Sequence, residues 1–225
     1  MGKAFWIGAI VLAGLFVWAV GYVVTPDNGD AEFQKMLEAT EKVKSFRGVY
    51  LDTAKHTERL WEVDCNRSIV HKQSQDVQPG TDPVTKEDEF FVGSDLKYTR
   101  NSGGSWDRTT YTAKVYSASW YCDNLAQGTI RDLVPDVRAM LRSATFGKGD
   151  KKTVNGVRCQ NWTFTMHSST SGVRGSVCMG LEDHLPYEMI TDDTGHYSYT
   201  DYNRPIQFDA PEAVLQAASS TSGSN

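Results

Sequence analysis

The chain has 225 residues, of which 23% are charged and 11% aromatic, a composition typical of a folded domain rather than a disordered one. Its formal net charge of −5 at pH 7 gives it no excess of positive charge, so we do not expect nucleic acid to be a partner. No phosphate-binding loop, nucleophile elbow, zinc-protease helix or dinucleotide fingerprint occurs in the sequence. We therefore predict no enzyme activity and no cofactor.

The chain opens with an uncharged apolar run over residues 4–24, AFWIGAIVLAGLFVWAVGYVV. About twenty apolar residues in a helix rising ~1.5 Å per residue cross the ~30 Å hydrocarbon core of a bilayer. Lys3 precedes the run and Asp27 follows it, so the positive-inside rule places the N-terminus in the cytoplasm and the remainder outside. A cleavable signal peptide is the alternative, with small residues at Ala19 and Gly21 as cut sites. The apolar core is longer than the ~7–15 residues of a signal, which favours a retained single-pass anchor.

A short polar linker, 25–31, leads into an amphipathic helix predicted over residues 32–45. From residue 48 the apolar period changes to two, which indicates half-buried antiparallel strands. We predict strands at 48–53, 59–65, 68–74, 89–92, 96–100 and 110–117, with a polar loop at 75–87. The domain over residues 32–211 therefore begins with a helix and a strand meander.

The second half of the domain repeats this order of helix and strands. Pro135 suits the first turn of a helix, so we predict a helix over 135–144. Asn155-Gly156 is a hairpin signal, and strands are predicted at 159–167, 173–181, 185–191 and 196–202. An extended piece at 205–208, one or two helical turns at 211–218 and a disordered tail at 219–225 complete the prediction.

Four cysteines, Cys65, Cys122, Cys159 and Cys178, lie on the outer side of the apolar run. An even number in an oxidising compartment predicts two disulfides, for which three connectivities are possible. Zinc is the rival interpretation, but no C-x-x-C spacing occurs and no histidine lies at ligand spacing to a cysteine. We therefore predict no metal site.

Strand register provides a criterion for choosing among the connectivities. If Cys159 faces Cys178 across a hairpin, then Trp162 faces Gly175, and one register separates an apolar face from a polar one. This favours Cys159–Cys178, which leaves Cys65 with Cys122.

Several short motifs recur in a characteristic order along the domain. They are VKSFRG at 43–48, EFFVGSDLKY at 89–98 closed by GSW at 104–106, VNGV at 154–157, LPYE at 185–188, and DYNRPI at 201–206 with Ala210-Pro211. Their order resembles the LolA/LolB-like bacterial lipoprotein-carrier superfamily, including the LppX/LprG-type lipoproteins, over nearly all of residues 32–211. The resemblance implies an α+β fold, a strongly curved, half-open antiparallel β-barrel with helices on its concave side. It also implies an apolar cavity used for acyl chains.

Apolar and aromatic residues of the domain are candidates to line such a cavity, and a packed core is the alternative. The candidates are Leu60, Trp61, Phe91, Tyr98, Trp106, Leu133, Val137, Leu141, Trp162 and Phe164. None of the five histidines lies in a nucleophile motif, so we interpret them as exposed or satisfied residues.

These observations predict a membrane-anchored, exocytoplasmic lipid- or lipoprotein-binding protein of the bacterial cytoplasmic membrane. Its domain would face the periplasm or the cell exterior. Its expected partners are the membrane and a lipid or an acylated protein. The alternative is an envelope sensor or protein-interaction domain whose cavity is filled.

Overall fold

A computed structural model describes residues 29–101, 104–110, 117–118, 122, 144–167, 172–192 and 195–221. The helices of these residues are α1 (Gly29–Glu41) and α2 (Glu212–Thr221). The strands are β1 (Ser45–Asp52), β2 (Thr57–Asp64), β3 (Ile69–Asp76), β4 (Val84–Val92), β5 (Leu96–Asn101), β6 (Asp107–Thr110), β7 (Thr145–Val154), β8 (Val157–His167), β9 (Gly172–Gly180), β10 (Pro186–Thr191) and β11 (Gly195–Thr200).

All eleven strands form one antiparallel sheet in the order β6-β5-β4-β3-β2-β1-β11-β10-β9-β8-β7. Ten neighbouring pairs build it, and nine of them join strands that follow one another along the chain. The exception is β1 with β11, which joins the first half of the domain to the second. β6 and β7 are the edges, so the sheet is open and fits a curved, half-open barrel.

Helix α1 is amphipathic and packs against the edge strand β7. It buries Phe33, Met36 and Thr40 at a spacing of three and four residues. The Phe33 ring centroid lies 4.1 Å from that of Phe146, and a Cβ on Gly29 would meet the Phe146 side chain. The close approach of Gly29 to β7 therefore fixes where the helix begins against the sheet.

The bounds of α1 correct two sequence predictions. Residues 29–31 are helical rather than part of a linker. Residues 45–48, predicted to stop the helix, already belong to β1, because Ser45 to Gly48 pair with Asp64 to Trp61 of β2. Pairing in the sheet thus overrides the local helical period at this boundary.

Alternation along the strands gives the sheet two different faces, and each of the two described helices packs on one of them. The α1 face is the one that packs on α1, and its cluster includes Val63, Val70, Phe91, Trp162 and Phe164. The α2 face is the opposite one. Its cluster is formed by Ile69, Phe90, Val92, Tyr98, Val214 and Ala218. The C-terminal helix α2 therefore packs on the face opposite to α1.

Both predicted disulfides form, but one predicted register is wrong. Cys65 is bonded to Cys122 and Cys159 to Cys178, each with a Cα–Cα distance of 5.5 Å. In the β8–β9 hairpin Cys178 lies opposite Asn161, so the bond joins diagonal rather than directly opposed residues. A shift of two residues leaves every side chain on its predicted face, which is why the face assignment holds although the register does not.

Several predictions concern residues outside the part of the chain that the structure describes. The apolar run 4–24 and the predicted helix 135–144, except its final residue Ala144, lie outside them, as does most of the predicted strand 110–117. Among the described helices, none is long and apolar enough to cross a membrane. Helix α2 extends to Thr221, so residues 219–221 are helical instead of belonging to a disordered tail.

Candidate functional site

The structure divides the predicted cavity residues between the two faces of the sheet. The α1 face carries Trp61, Phe91, Trp162 and Phe164, and the α2 face carries Leu60, Tyr98 and Trp106. Leu133, Val137 and Leu141 lie outside the described residues. Leu60 and Trp61 separate because neighbouring residues of a strand point to opposite faces.

The α1 face has a floor of buried aromatic side chains. Phe91, Trp162 and Phe164 are each 4% exposed, and Phe164 meets Phe33 of α1 edge-on at 6.2 Å. Further along the sheet, the Tyr50 and Tyr197 rings lie 4.5 Å apart. The floor therefore runs from β4 to β8 and combines aliphatic and aromatic surface.

Along β2, β3 and β4 this floor continues into a groove of about 340 Å³. The groove is lined by side chains of the α1 face and by two intervening strand residues, Leu60 and Gln73; those of the α1 face are Arg59, Trp61, Lys72, Ser74, Glu87 and Glu89. Strand pairing places Trp61 opposite Lys72 and Lys72 opposite Glu89, so one row of the face carries an aromatic ring and two charges. The α1 face thus changes from apolar to charged along the strands.

Two lysines flank the aromatic ring at the boundary between floor and groove. The Nζ atoms of Lys72 and Lys97 lie 5.6 and 5.4 Å from the Phe91 centroid, within the range of cation–π contacts. Lys97 also forms an ion pair with Glu89. Burial, followed by the charge of Glu89, raises the pKa of Glu87 above its ordinary value. The groove therefore contains both signs of charge.

Sequence reasoning selected the apolar members of this site and missed its charged ones. Arg59 and Lys72 were not among the candidates, because only apolar and aromatic residues were selected to line the cavity. The available signal was the register. Arg59 is two residues from Trp61 and so shares its face, and Lys72 pairs with Trp61.

The Cys65–Cys122 disulfide attaches a distant segment to the α1 face. The two cysteines are 57 residues apart, and Cys65 directly follows β2. Ala118, four residues before Cys122, is fully buried in the α1-face cluster. The bond therefore holds the chain around residue 118 beside the aromatic floor.

The fold is similar to that of several solved structures. The lipoprotein LppX of Mycobacterium tuberculosis matches over 82% of this chain and 100% of its own, with a TM-score of 0.53 and 14% identity. This chain has an LppX-like fold. The resemblance inferred from the sequence motifs is thereby confirmed at the level of the fold.

Two further structures have weaker similarity to this chain. MucB matches over 84% of this chain and 63% of its own, with a TM-score of 0.45 and 13% identity. A putative outer membrane lipoprotein-sorting protein domain from Vibrio parahaemolyticus covers 86% and 97%, with a TM-score of 0.30 and 7% identity. No protein-family model matches the chain, and no curated protein matches it significantly.

Proposed function

We propose that this protein is a membrane-anchored exocytoplasmic protein that binds the acyl chain of a lipid or an acylated protein on its α1 face. The observation that carries the proposal is the aromatic floor that continues into a charged groove on the same face. The LppX-like fold supports a role in the lipoprotein-carrier class, as the sequence motifs imply.

An amphiphilic ligand matches this combination of surfaces. Each CH₂ group removed from water contributes ~0.8 kcal/mol, so an acyl chain gains most by lying on the apolar part of the floor. A phosphate or carboxylate at its end would lie toward the groove, where Arg59 and Lys72 provide charged donors. Glu87 and Glu89 at the same groove disfavour a ligand with a large excess of negative charge.

The start of α1 supports a location close to the bilayer. Residues 25–28 separate the apolar run from Gly29, and four residues span at most about 14 Å. If the run is retained in the membrane, the α1 face lies within one lipid length of the headgroups. The protein would then exchange lipids at the membrane surface rather than carry them across the envelope.

A second candidate function is a protein-interaction domain without a lipid ligand. The observation that favours it is the close packing of the floor, where Phe91, Trp162 and Phe164 are almost fully buried. A ligand would then need α1 to move away from β7, whereas an interaction domain would keep the floor filled.

Matched tryptophan substitutions on the two faces test the proposal. Trp61 and Trp106 are both half-buried, but Trp61 lines the groove and Trp106 lies on the α2 face against Phe90. Affinity for a fluorescent C16 fatty acid and for lysophosphatidylglycerol would be measured on the full-length protein kept soluble by an amphipathic polymer, with free detergent removed.

Trp61→Ala is expected to weaken binding at least about tenfold, because removal of a large aromatic contact costs roughly 1.5–3 kcal/mol. Trp106→Ala is expected to bind as the unmodified protein does. Equal affinities for all three proteins, or no binding by any of them, would contradict the proposal.

A further inference from the structure

A row of five charged side chains crosses the α2 face from β1 to β5. Arg47 Nε donates to Glu62 at 2.6 Å, and the other Glu62 oxygen lies 2.9 Å from His71 Nδ1. His71 Nε2 lies 2.7 Å from an Asp88 oxygen, and Arg100 donates to the second Asp88 oxygen at 2.6 Å. His71, Glu62 and Asp88 are buried, at 6, 7 and 3% exposure.

The geometry determines where a proton must lie. An ionised carboxylate only accepts hydrogen bonds, whereas a neutral imidazole has one N–H donor. Because each ring nitrogen of His71 faces a carboxylate oxygen, both hydrogen bonds form only when the ring is the doubly protonated imidazolium. On deprotonation, one buried carboxylate oxygen loses its donor, which is costly at a buried position.

The row lies beneath the C-terminal strap, which we define as residues 201–221. Arg47 Nη1 forms an ion pair with Asp201 at 3.2 Å, and Nη2 donates to the Gln207 carbonyl at 3.4 Å. The same guanidinium therefore binds Glu62 in the row and two groups of the strap, the Asp201 carboxylate and the Gln207 carbonyl.

Aromatic stacking forms a second link between the row and the strap. The His71 ring is stacked on Phe90 with centroids 4.2 Å apart and planes 5° apart. Phe90 in turn meets Phe208 of the strap edge-on at 6.2 Å. Val214 and Ala218 of α2 pack in the same cluster as Phe90, so the ring lies between the histidine and the strap.

We propose that His71 is a proton-dependent clasp that holds the C-terminal strap on the α2 face and releases it as the pH rises. When the neutral ring keeps its Nε2–H bond to Asp88, loss of the other proton leaves Glu62 with Arg47 as its only donor in the row. Arg47 is then drawn toward Glu62 and away from Asp201 and the Gln207 carbonyl. The strap loses the polar contact that depends on the state of the row.

The direction of the pH effect follows from the balance at His71. Burial disfavours the imidazolium, but hydrogen bonds to Asp88 and Glu62, together with their charges, outweigh burial and raise the pKa above its ordinary value. A histidine whose pKa is raised in the folded state stabilises that state fully at pH values below its unfolded pKa of about 6.5. The stabilisation is lost as pH rises through the folded pKa.

The other charged groups near the clasp do not change this sign. Arg67 is paired with Asp64 at 2.8 Å, donates to the Ile206 carbonyl and lies 4.9 Å from the Phe208 ring centroid. Arg204, Asp209 and Glu212 of the strap are exposed to solvent. These groups are guanidiniums and carboxylates, whose ordinary pKa values lie far from neutrality. The imidazole of His71 is the group at the clasp whose ordinary pKa lies near it.

Hydrogen exchange of the unmodified full-length protein in detergent micelles tests the proposal without a substitution. After correction for intrinsic rates, protection of the α2 amides is expected to fall about tenfold between pH 6 and pH 8.5, the effect of losing one hydrogen bond to a charged group. Amides of β8 and β9 are expected to change much less. Unchanged protection in α2, or an equal fall in all elements, would overturn the proposal.

Two further measurements separate the clasp from general pH sensitivity. His71→Gln is expected to remove the pH dependence in α2, while His196→Gln, which affects a half-buried pair with Glu188, retains it. Nitrogen chemical shifts of His71 in the unmodified protein report its protonation directly. A neutral ring at pH 6, or strap pH dependence that persists in His71→Gln, would contradict the assignment.

Discussion

Replacement of Gly175 by alanine tests how closely the sheet packs beneath the aromatic floor. An ideal Cβ at this position would lie 2.3 Å from the Ile190 carbonyl oxygen and 2.7 Å from the Phe164 ring. The carbonyl belongs to β10, which pairs with β9, so it moves only if strand pairing is disturbed. Phe164 cannot retreat easily because Phe33 lies beyond it.

The expected loss of stability is about 2–4 kcal/mol. Overpacking a core by one methyl typically costs about 1–3 kcal/mol, and disturbing one ladder hydrogen bond adds about 1 kcal/mol. Gly156→Ala is the matched control, because Gly156 has a φ of +79° but open space around its Cα. Its cost is limited to the left-handed backbone, about 1–2 kcal/mol.

Urea unfolding of both variants, followed by tryptophan fluorescence, measures the difference. The midpoint is expected to fall further for Gly175→Ala than for Gly156→Ala, with the slope unchanged. Equal losses for the two variants, or a loss below about 1 kcal/mol for Gly175→Ala, would refute the packing argument.

Three further predictions concern the disulfide, the strap and acid stability. Replacing Cys65 and Cys122 together by alanine is expected to cost about 4 kcal/mol in urea unfolding, because their bond closes a loop with a separation of 57 residues; a loss below about 1 kcal/mol would contradict this. Val214→Ala is expected to cost about 1–3 kcal/mol, since Val214 is fully buried against the sheet, and a neutral result would show that α2 does not pack as described. Burial disfavours the charged form of Glu62, but hydrogen bonds from its basic neighbours outweigh burial and hold the pKa below its ordinary range. This contribution is present above the unfolded pKa and lost as pH falls through the folded pKa, so the unmodified protein should lose stability below about pH 4 more steeply than Glu62→Gln.

Local sequence patterns were sufficient to locate most of the strands. Alternation of apolar residues and turn signals such as Asn155-Gly156 place the hairpins, because pleating and tight turns depend on neighbouring residues. The pairing of β1 with β11 joins segments about 150 residues apart, and no periodicity within either strand identifies its partner. The resemblance to a known superfamily, rather than the period, supplied the barrel architecture.

The faces of the sheet were predictable only in part. Because side chains alternate along a strand, Trp162 and Phe164 lie on one face in either register. The error of two residues in the predicted β8–β9 register therefore does not change which residues form the floor. Alternation does not say which helix covers which face, so the packing of α2 opposite to α1 could not be predicted. The charged row was missed because Glu62 and His71 occupy alternate polar positions, which in an isolated strand indicate solvent.

The most direct test of the proposed function is mass spectrometry of the full-length protein extracted from membranes and kept folded in detergent. An acyl-chain-binding protein is expected to retain a bound lipid of defined mass, and the Trp61→Ala variant is expected to retain less of it than Trp106→Ala. A protein that carries no lipid, and whose unfolding midpoint is unchanged by added fatty acid or lysophospholipid, would contradict acyl-chain binding on the α1 face.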